Sequence, residues 1–235
     1  MKITAILLTY YKERLTHIPQ IVEDVWNQSI IPQELIIINN NPELKLPKLK
    51  ATVINCSRNF QTDIRIAIGA LVDATHIFQL DDDASIKPRV LENLINWYKK
   101  LDNPIVSYYG RNFNNDNKES PYWTGKRIHS RSTERPLEMN HVGARISLIR
   151  REVFAEALKV FANIPDYPRN GGEDILTSLV NKYHFKKKNY LVPAKDDYDW
   201  IDLGEKGIGL SRHKAIHSKN RDDSVKLLWK YYKQD

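Results

Sequence analysis

The chain has 235 residues, 41% of them apolar and 28% charged, which suits one globular domain with a substantial core and excludes a disordered or fibrous chain. Its net charge is +7, from 36 Lys and Arg against 29 Asp and Glu, and such a balance favours anionic partners: nucleotides, phosphorylated intermediates, nucleic acid or an anionic membrane face. The single cysteine, Cys56, excludes an internal disulfide, no apolar run is long enough for a transmembrane segment, and Met1 to Tyr10 carries no signal-peptide cleavage pattern, so a reducing, cytoplasmic setting is the expectation.

In chain order, Ile3 to Thr9 reads as a buried strand running into the polar loop Tyr10-Tyr11-Lys12-Glu13. Leu15 to Trp26 carries Ile18, Ile21, Val22, Val25 and Trp26 at helical spacing. Glu34 to Ile38 is a second strand, ended by the turn signal Asn39-Asn40-Asn41-Pro42, and Thr52 to Cys56 is a third. Ile64 to Val72 predicts a helix and His76 to Leu80 a fourth strand. Val90, Leu91, Leu94, Ile95 and Tyr98 mark an amphipathic helix behind Pro88, and Pro104 to Tyr108 another strand. Gly110 to Met139 is polar, rich in Asn and Arg, and reads as a long functional loop. His141 to Ile149 reads as a strand, and Val153, Phe154, Ala157, Leu158 and Phe161 mark a helix. Pro165 to Gly172 is a loop, Glu173-Asp174 open a further helix, and the last helix runs from about Asp222 to Tyr232. Strands alternating with helices predict β-α-β units and an α/β fold with a mostly parallel sheet, whose strands read as continuous apolar runs because both faces are covered. Ligands of such sheets bind beyond the carboxyl ends of the strands. Three polar clusters lie at those ends: Thr9 to Glu13, Asn39 to Asn41, and Asp81 to Asp83.

The run Gln79-Leu80-Asp81-Asp82-Asp83-Ala84-Ser85 sets three adjacent carboxylates beside a core strand. They need a counter-charge, and a divalent cation is the simplest one. In an extended chain residues i and i+2 point the same way, so Asp81 and Asp83 share a cation while Asp82 points elsewhere. Oxygen ligands suit Mg2+ or Mn2+, and Mg2+ is typically held by one or two carboxylates plus substrate phosphates. The other reading of the run is an acidic turn capping the helix near Pro88.

Gly171-Gly172-Glu173-Asp174 is a second acidic signal. Acidic residues in a first turn complement the helix dipole, while paired glycines let backbone approach a ligand. Helix neighbours face different ways, so one carboxylate faces a pocket and the other caps or orients. Gly207-Ile208-Gly209-Leu210-Ser211-Arg212-His213, followed by His217 and Arg221, is a basic glycine-containing loop suited to a diphosphate, with histidines that can complete a metal site. The basic clusters Lys126 to Arg135, Lys186 to Lys188 and Arg212 to Lys219 read either as solvated faces or as anion contacts. No Gly-x-x-x-x-Gly-Lys-Ser/Thr loop, no Gly-x-Gly-x-x-Gly after the first strand and no Gly-x-Ser-x-Gly elbow is present, which weighs against P-loop NTPases, Rossmann dehydrogenases and serine hydrolases.

Taken in order, these motifs resemble the glycosyltransferases of the GT-A fold, family 2, over nearly the whole chain. The resemblance implies a single GT-A (Rossmann-like) α/β domain over 1–235, with a mostly parallel central sheet flanked by helices and a smaller acceptor-side subregion. Residues 1–100 are then the nucleotide-sugar-binding half, 101–220 the acceptor-binding half and 221–235 the C-terminal helix. By the same resemblance Thr9, Tyr11, Glu13, Asn39, Arg65, Asp81, Asp82 and Arg212 face the donor, Asp83, Asp81 and His217 the metal, and Asp174 is the catalytic base. Asn39 stands where the family usually has an aspartate. The implied reaction is metal-dependent transfer, with inversion, of a hexose or deoxyhexose from a nucleotide diphosphate sugar, UDP-linked first, to a hydroxyl of a glycan or other acceptor, with Mn2+ or Mg2+ as cofactor. Tyr109, Tyr122 and Trp123 suit stacking on an acceptor sugar, and Arg127, Arg131 and Arg135 suit an anionic one. A sugar-phosphate nucleotidyltransferase, and a nucleic-acid-binding or DNA-modifying protein, are the rival readings of the same carboxylates and basic clusters.

Overall fold

The computed structural model describes residues 1–169, 172–204, 208 and 214–233. The first half alternates as the apolar pattern requires: β1 (Ile3–Thr9), α1 (Ile18–Trp26), β2 (Glu34–Asn39), β3 (Thr52–Asn55), α2 (Ile64–Leu71), β4 (His76–Asp81), β5 (Ala84–Ile86) and α3 (Val90–Lys100). The second half holds β6 (Ile105–Ser107), β7 (Tyr109–Asn112), β8 (Lys126–His129), β9 (Leu137–Met139), β10 (His141–Val142), β11 (Ile146–Arg150), α4 (Arg151–Asn163), α5 (Glu173–Tyr183), β12 (Asn189–Leu191), β13 (Trp200–Asp202) and α6 (Lys214–Tyr232).

Eight strands form the central sheet in the order β3-β2-β1-β4-β11-β6-β12-β9. The strands β1 to β4 are mutually parallel, and β6 pairs parallel with β12. The strand β11 runs antiparallel between β4 and β6. Alternation along each strand splits the core between the two faces. Ile6, Ile36, Ile38 and Ile77 pack with Ile66, Phe154, Leu176 and Leu179 of α2, α4 and α5. Their neighbours Leu7, Leu35, Ile37, Phe78 and Leu80 pack with Ile21, Val25, Leu91 and Leu94 of α1 and α3. Covering both faces is what makes these strands read as unbroken apolar runs, and each fully buried Leu or Ile contributes about 1.5–3 kcal/mol.

Four expectations are revised. The helix expected from Leu15 starts at Ile18, because Lys12–Thr16 forms a 3-10 turn and Pro19 suits the first turn of α1. The expected strand from His141 to Ile149 is two strands. At the break Gly143 joins β7 through a hydrogen bond to Tyr109 O, and Arg145 O accepts from Asp81 N. The polar region 110–139 is not one loop. Its β7 and β8 form, with β10, a second sheet of three strands. Finally, α6 begins at Lys214, two turns before Asp222.

These deviations shape the molecule's polar end. The carboxyl ends of β1, β2 and β4 meet the start of β11, the three-stranded sheet and the first turn of α5. The pairing of β5 with β13 sets Asp202 opposite Ala84, next to Asp83.

Candidate active site

A cavity of about 610 Å³ opens at this end of the sheet. One wall is the acidic run. Asp81 is the last residue of β4, and the turn Asp82-Asp83 leads into β5. The counter-charges expected from a cation are in part arginines. Arg14, buried in the turn after β1, pairs with Asp82 and lies 3.2 Å from Asp83 Oδ2. Arg65, the largest fully buried side chain, reaches from α2 to Asp81 Oδ1 at 2.6 Å and to Glu173 Oε1 at 3.2 Å. Arg145 Nε lies 2.7 Å from Asp83 Oδ1, and its Nη2 pairs with Asp202.

The acidic wall nevertheless keeps a surplus of negative charge. Burial and the neighbouring Asp81 carboxylate push the Asp83 pKa up to about 6, against the pull of Arg145 and Arg14. Burial also raises Asp82, which Arg14 partly offsets. Repulsion between Asp81 and Asp83 is what one divalent cation would relieve, and two carboxylates are as many as Mg2+ typically takes from a protein. Among the described residues no three His, Cys, Asp or Glu side chains form a ready-made metal cluster. The donor set therefore fits a hard cation that completes its shell with phosphate oxygens and water, not a closed structural site. His217, on the first turns of α6, lines the same cavity.

Opposite stands the start of α5. Gly172 caps it at φ 144°, a conformation open to glycine, and a Cβ there would come within 2.8 Å of the Ile175 side chain. The two carboxylates that follow point to different partners. Asp174 accepts two hydrogen bonds from Arg221 Nη2, at 2.9 and 2.8 Å, and one from His141 Nε2 at 2.9 Å. Those partners outweigh burial and hold its pKa well below the usual carboxylate range. His141 is buried against the rings of Phe113 and Tyr122, and desolvation keeps it neutral, so it donates its Nε2 proton to Asp174. Glu173 is pushed up to about 7 by burial and by the charge of Asp174, against the pull of Arg65.

The remaining wall is aromatic and basic: Tyr109, Arg111, Tyr122, Trp123 and Arg127, from β7, β8 and the segment between them. On the side of β1 and β2 lie Tyr10, Tyr11, Asn40, Asn59 and Gln61. Asn40 donates to Asn59 Oδ1 and Gln61 O, and Gln61 sits at φ 61°, a backbone strain typical of functional loops.

Of the residues expected at the site, Tyr11, Arg65, Asp81, Asp82, Asp83, Asp174 and His217 line this cavity. Thr9, Glu13 and Asn39 do not. Thr9 is buried beside Asp82, Glu13 points to solvent from the 3-10 turn, and Asn39 Nδ2 donates to Leu44 O and Asn55 Oδ1. The neighbour Asn40 takes the expected place of Asn39. Arg212, with most of its glycine-containing loop, lies outside the described residues. On the acceptor side Arg131 pairs with Asp199, and neither it nor Arg135 lines the cavity. Sequence reasoning passed over Arg14, Arg145 and His141. The signal for the two arginines was the unbalanced aspartate run itself; the parallel β1 brings its carboxyl end, with Arg14, to that edge, and the antiparallel β11 brings its start, with Arg145. Nothing local marked His141.

Residues 5–158 match the sequence signature of glycosyl transferase family 2. The fold is similar to that in a crystal structure of GalNAc-T7 with UDP, GalNAc and Mn2+, with a TM-score of 0.65 at 14% identity. The alignment covers 98% of this chain and 49% of that one, so the chain spans about half the length of that structure. None of the curated proteins matches the sequence.

Proposed function

Since the chain belongs to glycosyl transferase family 2, we propose that it moves a hexose or deoxyhexose from a nucleotide diphosphate sugar, UDP-linked first, to a carbohydrate hydroxyl, with inversion at the anomeric carbon and dependence on Mn2+ or Mg2+. One observation carries this reading: a single cavity joins the Asp81-Asp82-Asp83 run, at the carboxyl end of a parallel strand, to a buried, ionised Asp174 on the facing wall. The UDP and Mn2+ in the GalNAc-T7 structure are the reason to try that donor and that ion first.

Asp81 and Asp83 would hold the cation, its remaining positions left to phosphate oxygens and water; His217 lines the same cavity but forms no three-residue cluster with them. When bound, it supplies positive charge to the diphosphate oxygens that leave with the nucleotide. Arg14 and Arg145 stand at the same carboxylates and add fixed positive charge where the leaving group gathers its negative charge. The bond from the acceptor oxygen to the anomeric carbon forms as the bond from that carbon to the diphosphate oxygen breaks. The electron pair goes with the nucleoside diphosphate, and the acceptor proton goes to Asp174.

Arg221 and His141 keep Asp174 ionised and aimed, at the expense of basicity. Such a carboxylate removes a proton efficiently only once the acceptor oxygen has begun to bond to carbon and has become acidic. Proton transfer is therefore late in this reading. Attack and departure on opposite sides of the sugar follow from a base on the wall facing the aspartate run.

The test is incubation with a panel of labelled nucleotide sugars, with and without Mn2+, reading released nucleoside diphosphate and the anomeric configuration of any product by NMR. We expect release that chelation abolishes, and an inverted product. A folded Asp174→Asn variant with near-normal transfer would remove Asp174 as the base. A product of retained configuration would overturn the single-displacement scheme.

A further inference from the structure

Total charge in the cavity is balanced but divided between its walls. Among the described residues six carboxylates and six arginines line it. Arg14, Arg65, Arg145 and Arg221 are ion-paired with those carboxylates. Arg111 and Arg127 form no ion pair among the described residues. They stand directly opposite each other in the antiparallel pairing of β7 with β8, where like charges destabilise a sheet.

Both guanidinium groups are placed rather than adrift. Arg111 Nη1 donates to the carbonyls of Tyr122, Trp123 and Gly125, at 3.0, 3.3 and 3.0 Å, so it cannot swing away from its like-charged neighbour. Burial, with the charges of Arg221 and Arg127, pushes its pKa down. Arg127 is exposed to the cavity and lies over the Tyr109 ring. A hydrogen-bonded guanidinium with a second one directly opposite it in the register, both lining a cavity, is complementary to an anion.

The position of the pair indicates which substrate brings that anion. The Tyr122 ring is in contact with both Arg111, at 4.5 Å, and Arg221, at 4.3 Å, and Arg221 grips Asp174. Arg111 is thus one ring away from the base, on the side where the acceptor hydroxyl must lie. In the transferase reading the donor diphosphate belongs to the carboxylate wall, where a divalent cation held by Asp81 and Asp83 would offset its charge. Trp123, 44% exposed at the rim beside Arg111, offers an aromatic face to a sugar ring.

We propose that Arg111 and Arg127 form the anion subsite of the acceptor, with Trp123 as its stacking surface, and that the acceptor is a carbohydrate bearing a carboxylate or phosphate group. This rests on the transferase reading above.

The test is calorimetric titration of the full chain in the presence of UDP and Mn2+. The probes are a uronate-containing oligosaccharide, its carboxyl-reduced counterpart, a phosphorylated oligosaccharide, its dephosphorylated counterpart, and a single-stranded oligonucleotide. We expect at least one acidic carbohydrate to bind about tenfold or more tightly than its neutral counterpart. Arg127→Ala should weaken that binding roughly ten- to a hundredfold, the scale of one hydrogen bond to a charged group, and Arg127→Lys should restore part of it. UDP affinity, titrated separately, should change by less than about twofold, since an exposed charge is largely screened by solvent and salt. Because Arg127 is exposed on a short strand, both variants should fold as the parent does. Equal binding of neutral and acidic sugars overturns the subsite. So does a loss that falls equally on UDP, which would assign the pair to the donor diphosphate, and so does preferential binding of the oligonucleotide. Selective binding of an acidic sugar without any UDP binding would uphold the subsite and sink the donor reading.

Discussion

Replacing Arg221 by methionine tests the link between the last helix and the proposed base. Arg221 is 7% exposed, and its charge, held against Asp174 by two hydrogen bonds, is the main reason that carboxylate stays ionised under burial. Methionine keeps most of the packing over Tyr122 and removes the charge. Leaving a buried carboxylate without its cation costs about 3–5 kcal/mol. For a chain of this size each kcal/mol lowers Tm by about 2–4 °C, so the loss is roughly 6–20 °C. The pH dependence has a definite sign. In the parent, Asp174 has a folded pKa far below its ordinary 3.8, so its stabilising contribution is fully present above 3.8 and constant from pH 5 to pH 8. In the variant, burial opposed by His141 and the more distant charge of Arg65 lifts the folded pKa above 3.8, and stability falls as pH rises through the new value. Glu173, which Arg221 also holds down, moves the same way. The stability gap between parent and Arg221→Met should therefore be wider at pH 8 than at pH 5, by urea unfolding at both. A gap below about 1 kcal/mol at pH 8, or one that narrows as pH rises, would refute the reasoning. Arg221→Lys, which keeps charge but loses the fork, should fall between the two.

Three further outcomes are expected. His141→Phe keeps the ring packing against Phe113 and Tyr122 but removes the proton donated to Asp174, so kcat should fall roughly ten- to a hundredfold while donor KM stays within about threefold; an equal rise in donor KM would point to a general loss of structure. With Asp83 titrating at about 6, Mn2+ affinity should drop about tenfold per pH unit below that value, and Asp83→Asn should abolish both the affinity and its pH dependence; a flat profile in the parent, read by titration calorimetry, would take Asp83 out of the ligand set. Gly172→Ala forces a side chain into φ 144° and against Ile175, and should cost roughly 1–3 kcal/mol in thermal unfolding; a neutral result would mean that the first turn of α5 adapts without strain.

The first half of the chain was largely legible, because its strands are buried on both faces and announce themselves as apolar runs. Their order along the chain also placed Asp81 to Asp83 at the edge of the sheet where the cavity opens. The second half was not. The strands β7 and β8 are short, polar and partly exposed, and pair across the interruption 113–125, so neither periodicity nor composition separates them from a loop. The single misplaced residue at the end of β2 has a simpler cause. Three successive asparagines offer no pattern to say which one faces the cavity, and hydrogen bonding to Leu44 and Asn55 decides it. Arg14 and Arg145 reach the aspartates from 68 and 62 residues away, a distance at which a single sequence carries no pairing signal.

Glu173 and Asp174 are adjacent in sequence yet opposite in electrostatics, and the contrast bears on which of them takes the acceptor proton. Judged by pKa alone, Glu173 is the better match, since a base titrating near 7 balances ionisation against basicity. Geometry argues the other way. Glu173 is bonded to Arg65, which also holds Asp81, so it belongs to the aspartate wall and helps fix the end of β4. Asp174 is bonded to Arg221 and His141, both packed on Tyr122, and so belongs to the wall with Trp123 and the two unpaired arginines. In the proposed reading a base must stand on the acceptor wall before its pKa matters, and of these two carboxylates Asp174 is the one on that wall. Its low basicity then becomes informative. It requires the hydroxyl to be acidified by the forming bond, which ties proton removal to departure of the nucleotide and disfavours abstraction before a donor is in place.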